Sequence, residues 1–257
     1  SLLMFRLFGP GEAYPFNQIY ALIPFLNIVF TYGLETSYFR FAQTHDRQKL
    51  YNTLNYSIIV STIFLTILLF IFKDSVAHFI EMEKFPLLVS WMIGIVFFDT
   101  LYTLPMSKLR LEERPRKYAF INVFSIVLNI LIVLFFFYVA KPAHERNDNS
   151  FLAYLYDPAI GIGYTILANL IASGVTLLLL YKEFAEFKFK FDKVLWKEVM
   201  YYSYPLIIVG FGGMINEMLS RLVYQKVLDI GEKREHFELD VFAANYKLAV
   251  IITIFIQ

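Results

Sequence analysis

The feature that most constrains this chain is a succession of apolar stretches, each about as long as a bilayer is thick, separated by short polar connections. A helix that crosses the hydrocarbon core needs roughly 20 mostly apolar residues. Seven stretches meet or approach that length, at 16–38, 51–72, 86–106, 118–140, 159–181, 200–223 and 241–257. Residues 1–8 read as the tail of an earlier span. Lipid offers no hydrogen-bond partners to the backbone, so such stretches satisfy their own amides as helices. Composition agrees: 58% of residues are hydrophobic, 19% aromatic and only 18% charged, too little polar surface for a soluble domain of this length. The expected fold class is an all-α integral membrane protein, a polytopic helical bundle.

The chain opens at Ser1 inside an apolar run and stops at Gln257 within Val250-Ile251-Ile252-Thr253-Ile254-Phe255-Ile256. It is therefore expected to be part of a longer chain. The net charge of +1 offers nothing to nucleic acid, and with no cysteine there is no disulfide or thiolate chemistry.

Charge placement orders the spans. The connections at 39–50, 107–117 and 182–198 together hold 13 Lys and Arg, whereas the alternating connections at 9–15, 73–85, 141–158 and 224–240 hold 7. The positive-inside tendency puts the first set, and the N-terminal side of the chain, in the cytoplasm. Tyrosines such as Tyr51, Tyr56, Tyr154, Tyr201 and Tyr204 flank the spans as interfacial belts do. Phe187-Lys188-Phe189-Lys190-Phe191 alternates with period two, followed by Asp192 as a helix N-cap and by Val194, Leu195 and Trp196. This reads as a cytoplasmic element on the membrane surface that leads into the next span.

Polar groups inside spans are costly and usually face a protein interior or a cavity. Glu35 lies near the end of the 16–38 span, with Arg40 just beyond it, and Asp99 sits deep in 86–106. Asn122, Ser125 and Asn129 share one helical face, as do Asn169, Ser173 and Thr176. Asn216, Glu217, Ser220 and Arg221 form a patch in 200–223, and Lys247 sits early in the last span. Two readings stay open for the Asn, Ser and Thr stripes. They bind neighbouring helices together, or they line a wet path. Glu217 and Arg221 are also spaced to neutralise each other, and Arg40 to snorkel toward headgroups. Pro24, Pro205, Gly210, Gly212 and Gly213 mark kinks or close packing. There is no Walker A sequence and no His-Glu-x-x-His pattern, and His45, His78, His144 and His236 read as ordinary loop residues. No acid–base or nucleophile constellation stands out, so the chain is not expected to be an enzyme and no cofactor is implied.

Five stretches together resemble the polysaccharide flippases of Wzx type, in the multidrug/oligosaccharidyl-lipid/polysaccharide exporter superfamily. Phe8-Gly9-Pro10-Gly11-Glu12-Ala13-Tyr14 is similar to that family's turn after its first helix, with Pro15 in place of the usual Gly. Thr31-Tyr32-Gly33-Leu34-Glu35-Thr36-Ser37-Tyr38-Phe39-Arg40 resembles the end of the second helix. Arg110-Leu111-Glu112-Glu113-Arg114-Pro115-Arg116-Lys117-Tyr118 resembles the basic loop after the fourth. Ser203-Tyr204-Pro205-Leu206, with Asn216 and Arg221, resembles the seventh, although Ser220 stands where the family often has Asp. Ala244-Asn245-Tyr246-Lys247-Leu248 resembles the start of the eighth.

The resemblance implies two pseudo-symmetric lobes. Residues 1–181 would form the N-terminal lobe, from the end of helix one through helix six. Residues 182–198 would be a cytoplasmic interfacial linker, and 199–257 the start of the second lobe. It further implies a flippase for undecaprenyl-pyrophosphate-linked oligosaccharide in a bacterial inner membrane, working by alternating access. Arg40, Arg221 and Lys247 would attract the pyrophosphate, and Asn122, Asn129, Asn169 and Asn216 would contact sugars. Glu35, Asp99 or Glu217 would bind a coupling proton or Na⁺. Other glycan assembly proteins are candidate partners. A lipid II flippase, a multidrug antiporter and a non-transporting scaffold of a glycan assembly complex are the competing readings.

Overall fold

A computed structural model describes residues 14–146 and 151–227, together with the isolated positions 238 and 241; the side chains of 14–15 and 213–227 are outside the description. Every regular element among the described residues is helical. They run as α1 (Tyr14–Thr31), α2 (Leu34–Phe41), α3 (Arg47–Ile71), α4 (Lys73–Phe79), α5 (Pro86–Leu111) and α6 (Pro115–Glu145). Short α7 (Phe151–Tyr154) precedes α8 (Tyr164–Leu179), α9 (Tyr181–Ala185) and the long α10 (Lys193–Val227). Among the described residues, four helices have the length and apolar content to cross a membrane, and five do if the bent pair α1–α2 is one span. This is a polytopic all-α membrane protein. The expected spans at 1–8 and 241–257 lie outside the described residues, apart from the isolated position 241.

Helix ends follow local chemistry. Asp46 accepts the Lys49 amide at 2.7 Å and starts α3. Pro86 and Pro115 open α5 and α6, where a missing amide costs nothing. Between α5 and α6, Glu113 takes φ 53° and the Arg114 amide reaches back to the Leu109 carbonyl at 3.0 Å. That left-handed cap with a six-to-one bond turns the chain tightly at its most basic connection. Asp192 accepts the Val194 and Leu195 amides at 2.8 and 3.0 Å, the N-cap expected from sequence. α10 therefore begins at Lys193 and continues through the 200–223 stretch.

The 16–38 stretch reads in sequence as one span, with Pro24 as its kink. Pro24 instead lies within continuous α1, and the helix breaks at Tyr32 and Gly33, where α1 and α2 diverge by 43°. Gly33 has φ 75°, in the left-handed region that favours glycine. A Cβ there would stand 3.1 Å from the Leu206 Cβ and 3.3 Å from the Ser203 carbonyl. The break and the close passage of α10 therefore share one residue. His78 and His144 read in sequence as loop residues and fall within α4 and the last turn of α6, because both connections contain helical turns.

The core is built at two levels. Ile19 and Phe30 of α1 pack with Met92, Ile93 and Val96 of α5 and with Ile166 just inside α8. Nearer the basic end, Leu34 and Tyr38 of α2 meet Tyr51, Leu54 and Ile58 of α3, Leu104 of α5, and Leu195 and Val199 of α10. α10 runs along α1 and α2, with Gly210 close to Ile28, Phe211 beside Phe25, and the Ser203 and Ser37 hydroxyls 2.6 Å apart. The outer faces carry exposed Phe64, Ile71, Ile126 and Leu131, the reverse of a water-soluble bundle and the pattern lipid requires.

Candidate functional site

Three helices converge on an interior polar cluster. Asn169 of α8 donates its amide to the Tyr20 hydroxyl of α1 at 3.0 Å, and Ser173, one turn along, donates to Asp99 of α5 at 2.7 Å. The Tyr102 hydroxyl stands beside the same carboxylate. Small residues permit this approach. A Cβ on Gly94 would meet Leu170 at 2.8 Å, and Gly174 faces Phe98 at ordinary contact distance. Backbones that come this close bring short polar side chains within bonding reach across apolar helices. Of the residues singled out from sequence, Asp99 and Asn169 thus belong to one cluster, with Ser173 between them.

Among the described residues no hydrogen bond joins the α6 stripe to it. Asn122 donates to the Tyr118 carbonyl of its own helix at 3.1 Å, and Asn129 is half-buried. A second stripe escaped the sequence reading. Asn55, Thr62 and Thr66 share one face of α3, and among the described residues neither amide atom of Asn55 nor either hydroxyl has a protein partner. Asn55 is fully buried. The signal was present as Asn and Thr inside 51–72, but at seven- and eleven-residue intervals it is easily taken for background.

The charged groups gather at the end where the three basic connections meet. Glu35 pairs with Arg110, whose guanidinium lies over Phe39 and Tyr118 at 4.9 and 5.4 Å. Arg40 is exposed, over the Tyr202 ring at 5.8 Å, with no carboxylate in salt-bridge range among the described residues. Lys108 is buried over Tyr51 and pairs with Glu186. Glu183 is fully buried and holds Lys117 at 2.6 Å and Arg114 at 3.1 Å. Lys108, Glu183 and Glu186 fall in the connections 107–117 and 182–198, and the sequence singles out none of them as a site residue. Only the docking of α9 against the α5–α6 turn makes Lys108 and Glu183 interior, while Glu186 stays exposed at the rim.

The segment between α9 and α10 is fastened to α3. The Lys188 amide donates to Asn52 at 2.9 Å, the Asp192 amide to Thr53 at 3.3 Å, and the Trp196 indole to Ser57 at 2.8 Å. Gln48 donates to the Glu186 carbonyl at 2.9 Å, and the Tyr51 hydroxyl to that of Glu183 at 3.0 Å. Lys49 pairs with Asp192 at 2.5 Å. That ammonium, joined by the Leu195 and Val194 amides, holds the Asp192 carboxyl below the usual carboxylate range. A cleft of about 590 Å³ remains between the start of α3 and this segment, lined by Lys49, Asn52, Lys188, Lys190, Phe191 and Lys193 among others.

The side chains of Asn216, Glu217 and Arg221, and Lys247 as a whole, lie outside the described residues. A family model described as polysaccharide biosynthesis protein matches residues 2–257. No curated protein and no solved structure matches the chain.

Proposed function

The chain belongs to the polysaccharide biosynthesis protein family, and from that premise we propose that this multi-pass membrane protein, a polysaccharide-linked transporter, is a flippase for an undecaprenyl-pyrophosphate-linked oligosaccharide. The membrane is the bacterial inner membrane, with the basic connections and the N-terminal side in the cytoplasm. The observation that carries the reading is the Asp99 cluster. A carboxylate, two tyrosine hydroxyls, an amide and a serine meet among three apolar helices. A bundle that needs only to be stable gains little from a carboxylate there. Asp99 is the candidate for a coupling proton or Na⁺. Glu35, paired with Arg110, is a weaker one. Arg40, with no carboxylate in salt-bridge range among the described residues, suits a pyrophosphate arriving at the basic end. Asn169 and the open amide of Asn55 supply hydrogen-bonding capacity for sugars. Asn122 and Asn129 are further candidates on α6. Rocking of two lobes about such a midplane site is the proposed cycle.

The test is depletion of the protein, then leaflet-resolved labelling of the lipid-linked glycan. The expected result is accumulation on the cytoplasmic side, relieved by the wild-type chain and not by an equally expressed Asp99→Asn variant. An unchanged leaflet distribution on depletion overturns the transport reading.

A further inference from the structure

We propose that the cleft between the start of α3 and the segment entering α10 binds the phosphate-bearing headgroup of an anionic lipid in the leaflet beside the basic end. This assignment is independent of what the protein transports.

The argument begins with unbalanced charge. Four lysines and two aspartates line the cleft. Both aspartates are engaged: Asp46 caps α3, while Asp192 caps α10 and pairs with Lys49. Lys188, Lys190 and Lys193 then share one concavity with no carboxylate within 4 Å among the described residues. Like charges held together in this way favour an anion between them. The first turns of α3 and α10, helices of 25 and 35 residues, also open at the cleft, but their positive ends are already met by Asp46 and Asp192, so the surplus charge is that of the lysines.

The cavity is also preset. Asn52 is buried, and its carbonyl oxygen accepts both the Gln48 amide and the Lys188 backbone amide at 3.1 and 2.9 Å. The Phe191 ring packs against Tyr56 and Trp196 at 5.4 and 5.9 Å. Lys188 and Lys190 are thus carried on a fixed backbone instead of a free loop.

The choice of a lipid over a soluble anion comes from the rim. Phe189 and Val194 are 80% and 78% exposed beside the lysines. Apolar side chains interleaved with lysines are what an interfacial element needs, with the rings among acyl chains and the ammonium groups at headgroup level. A site for a soluble phosphate has no use for them.

The experiment titrates phosphatidylglycerol or phosphatidylcholine into the full chain in neutral detergent, with bound lipid counted by native mass spectrometry. Phosphatidylglycerol is expected to be retained and phosphatidylcholine lost. Combined Lys188→Gln, Lys190→Gln and Lys193→Gln should weaken retention at least about ten-fold, since each lysine near a headgroup contributes roughly a several-fold factor. Lys182→Gln with Lys197→Gln, on the same connection outside the cleft, should leave it unchanged. Lys190→Glu alone, a change at one exposed side chain, should also weaken it and covers the case in which the triple variant is unstable. Equal loss in the Lys182/Lys197 control overturns the site in favour of diffuse attraction. Equal retention of the two lipids overturns it as well. Displacement of the lipid by inorganic pyrophosphate at the same concentration overturns the lipid assignment.

Discussion

Glu183 is a carboxylate with no exposure to solvent, in a connection that reads as basic. It persists there because Lys117 and Arg114 approach within 2.6 and 3.1 Å, while its own backbone carbonyl takes the Tyr51 hydroxyl. Removing one partner from such a set leaves the others desolvated and unmatched. Both cations keep part of their surface in water, which limits the cost. Glu183→Gln is expected to lower stability by about 1–3 kcal/mol, read as a fall in the thermal midpoint in detergent, whereas Glu183→Asp should recover part of it. An unchanged midpoint for Glu183→Gln would show the pair to be solvated. The same scale explains what could be read beforehand. Asp99 and Asn169 stand out in sequence because a polar residue in an apolar run is conspicuous. Tyr20, their third partner, does not, because a tyrosine near a span end has an interfacial role available to it.

At the scale of elements, the break between α1 and α2 is a property of Gly33 and not of the more obvious Pro24. Gly33→Ala puts a Cβ at φ 75° and against Leu206 and the Ser203 carbonyl at once. The backbone term alone costs about 1–2 kcal/mol, so the thermal midpoint should fall. Gly212, on exposed helix surface with nothing within 4 Å of an added Cβ, serves as the comparison. Gly212→Ala should be neutral or stabilising by up to about 1 kcal/mol. If both variants behave alike, Gly33 has no special role. Asp192 is the contrary case, an element boundary fully legible in sequence, since capping depends only on residues three apart.

For the molecule as a whole, the consequential contact is the fastening of the 187–192 segment to α3. Its Lys188 and Asp192 amides are engaged by Asn52 and Thr53, with Phe189, Lys190 and Phe191 exposed between them. Hydrogen exchange should therefore be slow at these two amides and fast at Phe189, with Asn52→Ala accelerating Lys188 at least about ten-fold if the bond contributes roughly 1–1.5 kcal/mol. Uniformly fast exchange would mean that the segment hangs free. The Lys49–Asp192 pair has a defined pH window. A carboxyl held below its unfolded value stabilises the folded state above that value, and the contribution is lost as pH falls through the depressed one. The fastening should hold at neutral pH and loosen only in acid below the usual carboxylate range. α10 leaves this clasp and runs along α1 and α2, so any displacement of α10 bears on the first helices directly.

Sequence alone determined that the chain is a helical membrane protein, roughly where its apolar helices lie, which connections are basic and to which family the motifs point. These come from one-dimensional facts: apolar length, charge alternation and short capping patterns, each set by residues near one another in the chain. Tertiary structure decided which polar residues meet. Tyr20 and Asn169 are 149 positions apart, and Ser37 and Ser203 are 166 apart. It also made Lys108 and Glu183 interior charges and left Asn55 buried without a protein partner among the described residues. The physical reason is that helical periodicity fixes a residue's face on its own helix, while the identity of the facing helix depends on how small residues such as Gly94 and Gly33 let backbones approach.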